Sequence, residues 1–356
     1  MKYLLLPALL ALAGSASAAL SIETISATSQ DGTQYRFPKV AGDSAAASNI
    51  NTWLQAVELH KLPGRYDKVA FEAIWPQGDS HMGVTELDYA LVANQPGFLT
   101  LTVNGEYTSA GLNDFSNTYS FDTRSGQPLQ LADLFSSDGL QWLQQQTLAQ
   151  RSQRIRNFLD GKGSDPDEAL DDDAEAAAQQ RELYQQCLQS LPDSSLDYDG
   201  LQLSKDQLSL VHDSCGSHAD QPIDVLGDFT NRWTFAELRE HLSDYGRCLL
   251  VEARGDCQRA PGTRTVGVWH GQLDARLPIT LVLQRVDADG SLEGSYFYDK
   301  FARYIELSGN REQDGSLLLN EDSTPLARMR LKRQGEGFAG SWAQDGKNKT
   351  LSVKLD

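Results

Sequence analysis

The sequence predicts an α+β N-terminal domain, built as an antiparallel sheet with packed helices, followed by an all-β antiparallel meander or small barrel. Three observations carry this expectation. Strand-like and helix-like periodicities mix up to about residue 262, and only short alternating runs follow. The charge changes at the same place: from Thr263 onward 13 Asp/Glu balance 13 Lys/Arg, so the formal net charge of −18 lies wholly before it. The segment Gln258 to Thr265 carries Pro261 and Gly262 and supplies a boundary between residues 19–262 and 263–356. Single cores stop growing at about 250–300 residues, which also favours two domains.

Residues 1–18 read as a secretory signal peptide. Lys2 is its positive region, Leu4 to Leu12 its apolar core, and Ala16-Ser17-Ala18 its cleavage site. The expectation is a periplasmic or secreted chain beginning near Ala19. The apolar core is too short to span a bilayer, so no integral membrane segment is expected after cleavage. No Cys follows the cleavage site, which argues against lipid attachment. Loss of Lys2 takes the formal charge to −19. Such a body repels nucleic acid and anionic membranes and attracts cationic proteins.

Four cysteines remain, Cys187, Cys215, Cys248 and Cys257. An even number in an exported chain points to disulfides. The short loop between Cys248 and Cys257 favours that pair, leaving Cys187 to Cys215. A zinc site would need two close pairs, and one is present.

Several elements can be placed in order. Thr33 to Pro38 is a short strand. Ser44 caps a helix with Ile50, Trp53, Leu54 and Val57 at helical spacing. Val84 to Val92 and Leu99 to Tyr107 alternate as strands, and Thr118 to Asp122 is another. Asp138 opens a helix through Leu143, Thr147, Ile155 and Phe158 that stops at Gly161. A second helix runs from Asp165 to Leu188. Its acidic start (Asp165, Asp167, Asp171, Asp172, Asp173) lacks the order of a calcium loop and reads as a solvated, dipole-stabilised helix entry. Gln202 to His212 is further strand, and Thr234 with Glu237 has capping-box spacing. After 263, seven strands are expected, separated by turns such as Asp289-Gly290, Asp314-Gly315 and Asp345-Gly346.

Catalytic motifs are missing. The six histidines make no metal-hydrolase pattern, and the adjacent His212, Asp213 and Ser214 cannot form a triad from one turn. No catalytic residue, metal ligand or cofactor is assigned. Around one C-terminal hairpin, Tyr296, Phe297, Tyr298, Phe301 and Tyr304 cluster. The strand period sets Phe297 opposite Tyr296 and Tyr298, which makes these two tyrosines candidate contact residues.

The stretch Leu99 to Phe135 carries Tyr107-Thr108, Tyr119-Ser120-Phe121-Asp122, Ser125-Gly126 and Leu131-Ala132-Asp133-Leu134-Phe135. With the later Phe235-Ala236-Glu237-Leu238, these resemble the domain shared by lysozyme-sensing anti-sigma factors of the RsiV type and some peptidoglycan deacetylases. The resemblance spans about Ile22 to Leu250. It implies a non-catalytic envelope protein that binds a cationic cell-wall hydrolase, a muramidase, or peptidoglycan itself. The alternative is an enzyme or accessory factor acting on an envelope polysaccharide. Where that family carries Gly-Gly-Ala-His, this chain has Ser109 to Asp114 and no histidine, so a role for that histidine does not transfer. The C-terminal hairpins are similar to a small β-domain of exported proteins, and more distantly to small β-barrel lysozyme inhibitors. The segment Tyr107 to Tyr119 is read as a polar recognition loop, with Tyr107, Ser109, Gly111, Asn113, Asp114, Phe115 and Tyr119 as candidate binding residues.

Overall fold

In the computed structural model the chain forms two β-rich units with a helix between them. The structure describes residues 19–29, 32–76, 82–109, 111–162, 170–171, 173–216, 220 and 222–356. The signal-peptide segment, His81, His218 and the acidic residues Asp165, Asp167 and Asp172 lie outside these. No helix among the described residues is long and apolar enough to cross a membrane.

The first sheet has five strands in sequence order: β1 (Ile22–Thr28), β2 (Gln34–Val40), β3 (Gly83–Asn94), β4 (Phe98–Thr108) and β5 (Leu112–Asp122). It is mixed rather than antiparallel throughout, because β2 meets β3 in parallel at Tyr35 and Leu87. The long connection between them holds helix α1 (Ala45–Leu59). Ser44 caps it by accepting the amide of Ala47, as its position before an apolar-periodic run predicts.

One face of the sheet packs on α1, and the other face of α1 meets the C-terminal unit. A single core therefore joins Phe37, Ile50, Leu54, Leu101 and Phe121 with Val266, Val268, Val282 and Phe297. The opposite face of the sheet is partly covered by a three-stranded sheet of β6 (Gly200–Leu203), β7 (Gln207–His212) and β8 (Phe229–Thr234). Ser120 donates its hydroxyl to the carbonyl of Leu201 across that junction.

The further strand expected from Gln202 to His212 belongs to a hairpin, turned at Ser204 to Asp206. A short helix α2 (Leu131–Leu134) precedes α3 (Ser137–Leu159), whose cap is Ser136 rather than the expected Asp138. Helix α4 (Ala174–Ser190) is capped by Asp173, which accepts the amides of Glu175 and Ala176. Thr234 and Glu237 form the predicted capping box of α5 (Phe235–Leu238). Disulfides join Cys187 to Cys215 and Cys248 to Cys257.

The C-terminal unit is a closed eight-stranded antiparallel barrel: β9 (Gly267–Leu273), β10 (Leu277–Val286), β11 (Ser291–Tyr298), β12 (Arg303–Arg311), β13 (Leu317–Glu321), β14 (Ala327–Gln334), β15 (Gly337–Gln344) and β16 (Thr350–Leu355). Seven of these were predicted. The eighth, β9, closes the barrel by pairing with both β10 and β16. Its sequence GVWHGQL has glycine, histidine and glutamine at the barrel seam and a weak alternation, so it does not announce itself as a strand. Closure leaves this unit no free sheet edge.

Candidate functional site

The segment expected to be a loop from Tyr107 to Tyr119 is mostly sheet. Strands β4 and β5 pair without a break from Phe98 opposite Asp122 to Thr108 opposite Leu112. Ser, Thr and Asn are turn-prone in isolation, but here Thr100, Thr102, Asn104, Ser116, Thr118 and Ser120 tile one face of the hairpin. Thr100 bonds Ser120 at 2.8 Å, Thr102 bonds Thr118 at 3.1 Å, and Ser116 donates to Asn104 at 2.9 Å. Each is a directly opposite pair, the arrangement in which cross-strand side chains interact most strongly.

The strand period then divides the candidate residues between two faces. Tyr107, Asn113, Phe115 and Tyr119 project toward the α1 side. Tyr119 donates its hydroxyl to Glu58 on α1, and Asn117 donates to the same carboxylate. Phe115 stands opposite Gly105, where an added Cβ would lie 2.6 Å from the ring, so the phenyl group covers bare backbone. Tyr107 is 40% exposed at the sheet's end. Ser109 and Gly111 are exposed, with Asn113 donating to the Gly111 carbonyl. Of the predicted set, Asp114 alone projects its side chain to the other face.

That other face carries the most unusual feature of the molecule. Glu86 on β3 stands opposite Glu106 on β4, and Glu106 stands opposite Asp114 on β5. Three carboxylates thus form one rung across three adjacent strands. Opposite side chains in such a rung begin about 4.5–5.5 Å apart, a spacing at which like charges destabilise a sheet. None of the three makes an ion pair among the described residues. The next rung toward the covered part of the sheet is Asp88, Asn104 and Ser116, in which Asp88 is neutralised by Arg36 at 3.0 Å.

The rung lies in a groove of about 1050 Å³, between the uncovered end of this face and the β6–β7 hairpin. Among the described residues seven carboxylates line it, Glu86, Asp88, Glu106, Asp114, Asp199, Asp213 and Asp228, with neither Lys nor Arg. Asp199 is spoken for: Arg151 holds it at 2.6 Å with both side chains fully buried, and His212 Nδ1 lies 2.7 Å away. Leu112, on the same side of β5 as Asp114 by strand period, is 52% exposed. Sequence reading found Asp114 by composition but not its partners. Glu86 and Glu106 lie 20 residues apart, and only strand register brings them together.

Of the aromatic cluster on the barrel, Tyr296 and Phe297 are enclosed, whereas Phe301 is 67% exposed. Tyr296 is fully buried inside the barrel, where it donates its hydroxyl to Glu321 at 2.5 Å. Phe297, one residue on, points outward and is also fully buried, because α1 covers that side of the barrel. The expectation of an exposed face opposite Phe297 fails because the inside of a closed barrel is core as well. Tyr298 is half-buried beside Tyr296.

Two carboxyls are raised by burial. Glu58 is held above the ordinary carboxylate range by loss of solvent, against the opposing hydrogen bonds of Tyr119 and Asn117. Asp133 is raised by burial against the pull of Arg259, and it also caps α2 by accepting the amide of Gln130. Both are occupied in holding elements together.

Neither a protein-family model nor a curated protein matches the sequence. Among solved structures, the chain is similar to a crystal structure of a DUF3298 family member from Bacteroides fragilis. The alignment has 11% identity, covers 67% of this chain and all of that one, and has a TM-score of 0.43. A likeness of that size carries no argument about function.

Proposed function

We propose that this protein is an exported, non-catalytic binder of the cell envelope that receives a cationic protein surface, such as that of a muramidase, in its acidic groove. The rung of Glu86, Glu106 and Asp114 carries this reading. A sheet gains nothing from three adjacent uncompensated carboxylates, and a partner's Lys or Arg would relieve their repulsion. The exposed Leu112 beside them adds an apolar contact. The net charge of −18 steers cations toward the whole body. The resemblance of Leu99 to Phe135 to the lysozyme-sensing family points to the same partner class. The signal sequence and two disulfides suit an oxidising compartment outside the cytoplasm. The rival enzymatic reading draws less support, since the raised carboxyls of Glu58 and Asp133 are committed to packing.

The test is binding of the mature chain to a cationic muramidase at low and physiological salt, with wild type and a Glu86→Gln, Glu106→Gln, Asp114→Asn variant. Wild-type affinity should fall steeply with salt, because charges are screened over about 8–10 Å at 0.10–0.15 M. The variant should lose at least tenfold at low salt and show a shallower salt dependence. Equal affinities for variant and wild type would remove the groove as the site.

A further inference from the structure

A second depression lies where the five-stranded sheet, α2 and the barrel meet, and its character is opposite to that of the acidic groove. It holds about 550 Å³, within the range of small-molecule sites. Thr118, Tyr119 and Asp199 border both depressions. Much of its wall is apolar, including Leu129, Leu140, Leu196, Leu201, Val266 and Val286.

Its charges are unevenly satisfied. Three of its four aspartates are matched by arginine: Asp133 by Arg259 at 3.3 Å, Asp199 by Arg151 at 2.6 Å, and Asp287 by Arg285 at 2.9 Å. The fourth, Asp197, accepts the Ser195 hydroxyl and the Ala288 amide. The two remaining arginines of the lining, Arg264 and Arg311, make no ion pair among the described residues. Arg264 donates to the Val268 carbonyl and lies 3.5 Å from the centre of the Trp269 ring. Burial and the neighbouring Arg259 and Arg333 bring its pKa down to about 10, against the smaller pull of Asp133 and Glu336. Trp53, also in the lining and 3% exposed, has an indole nitrogen without a hydrogen-bond partner. Arg264, Arg311 and the Trp53 indole are therefore donors without a carboxylate partner among the described residues, although Asp287 Oδ1 also lacks a hydrogen bond.

We propose that this cleft binds a small organic anion with an apolar body, its carboxylate or sulfonate meeting Arg264 and Arg311 and its body covering the leucine and valine wall. The site shares Thr118, Tyr119 and Asp199 with the groove but needs no protein partner. The probe is 8-anilinonaphthalene-1-sulfonate, titrated by fluorescence against the folded full-length mature chain. Saturable binding at one equivalent is expected, displaced by dodecanoate and not by dodecyltrimethylammonium. Arg311→Gln should weaken binding at least fivefold. Arg330→Gln, a barrel-surface arginine paired with Glu312, should leave it unchanged. Arg264→Gln should weaken it further, but it also removes the brace on Trp269, so the exposed Arg311 provides the decisive comparison. Absence of saturable binding, equal displacement by the cationic amphiphile, or an Arg311→Gln affinity equal to wild type would overturn the proposal.

Discussion

Tyr119 on β5 donates its hydroxyl to Oε1 of Glu58 in the last turn of α1 at 2.5 Å, tying the edge of the sheet to the helix that the barrel packs against. Burial raises the carboxyl of Glu58 above its ordinary value of 4.5, and its charge in turn raises the Tyr119 phenol, on top of burial's larger effect. The folded state therefore holds the Glu58 proton more tightly than the unfolded chain does. Its contribution is fully present below pH 4.5 and is lost as the pH rises through the raised value. Urea titrations of wild type and Glu58→Gln across this range should show wild type gaining stability relative to the variant as the pH falls. Parallel pH profiles would show that Glu58 titrates normally.

A second prediction concerns the buried pair of Arg151 and Asp199. Arg151 gives Nη1 and Nη2 to the two oxygens of Asp199 and Nε to Asn231. Both side chains are fully buried. Arg151→Met leaves a buried carboxylate with only the His212 ring beside it and should cost about 3–5 kcal/mol. Adding Asp199→Asn should recover a substantial part of that loss, as measured by equilibrium denaturation. A single variant within about 0.5 kcal/mol of wild type would mean that water reaches the site.

The disulfides should differ in weight. The loop closed by Cys248 and Cys257 has a sequence separation of 9, and that closed by Cys187 and Cys215 one of 28. Chain entropy assigns about 2–3 kcal/mol to the shorter and about 3–4 kcal/mol to the longer. Paired Cys→Ser variants, measured by denaturation, should follow that order. Non-reducing peptide mapping that linked Cys187 to Cys248 would sink the pairing itself.

Inside the barrel, Glu321 accepts both the Tyr296 hydroxyl and the Trp342 indole N–H. Tyr296→Phe removes one donor from a buried carboxylate and should cost about 1–3 kcal/mol. Because Tyr296 is enclosed, the same variant should bind a cationic muramidase as wild type does. Loss of binding without loss of stability would restore Tyr296 as a contact residue.

Much of the fold is legible from local signals. Alternation located β3, β4 and seven barrel strands, Asp-Gly pairs located several turns, and Ser44 and the Thr234–Glu237 pair located helix starts. These signals work because each depends on residues within a turn or two of one another. The strands that escaped, β1, β8 and β9, are a partly exposed edge, a strand whose apolar residues read as a helix entry, and a barrel seam. The turn-prone composition of residues 109–117 also misled, since Ser, Thr and Asn serve equally as cross-strand partners on a polar sheet face.

The candidate site was far less legible, and the reason is register. Asp114 could be picked out as an acid near a turn, but an acid in a chain of net charge −18 is unremarkable. Only the pairing of β3, β4 and β5 makes Glu86, Glu106 and Asp114 one rung, and a one-residue slip would have scattered them across both faces. Likewise the sequence determined that Tyr296 and Phe297 face opposite ways. Only tertiary structure decided that both directions are buried, because β9 closes the barrel around one ring and α1 covers the other. Local sequence sets which side of a strand a residue takes; what lies on that side is set by contacts between segments far apart in the chain.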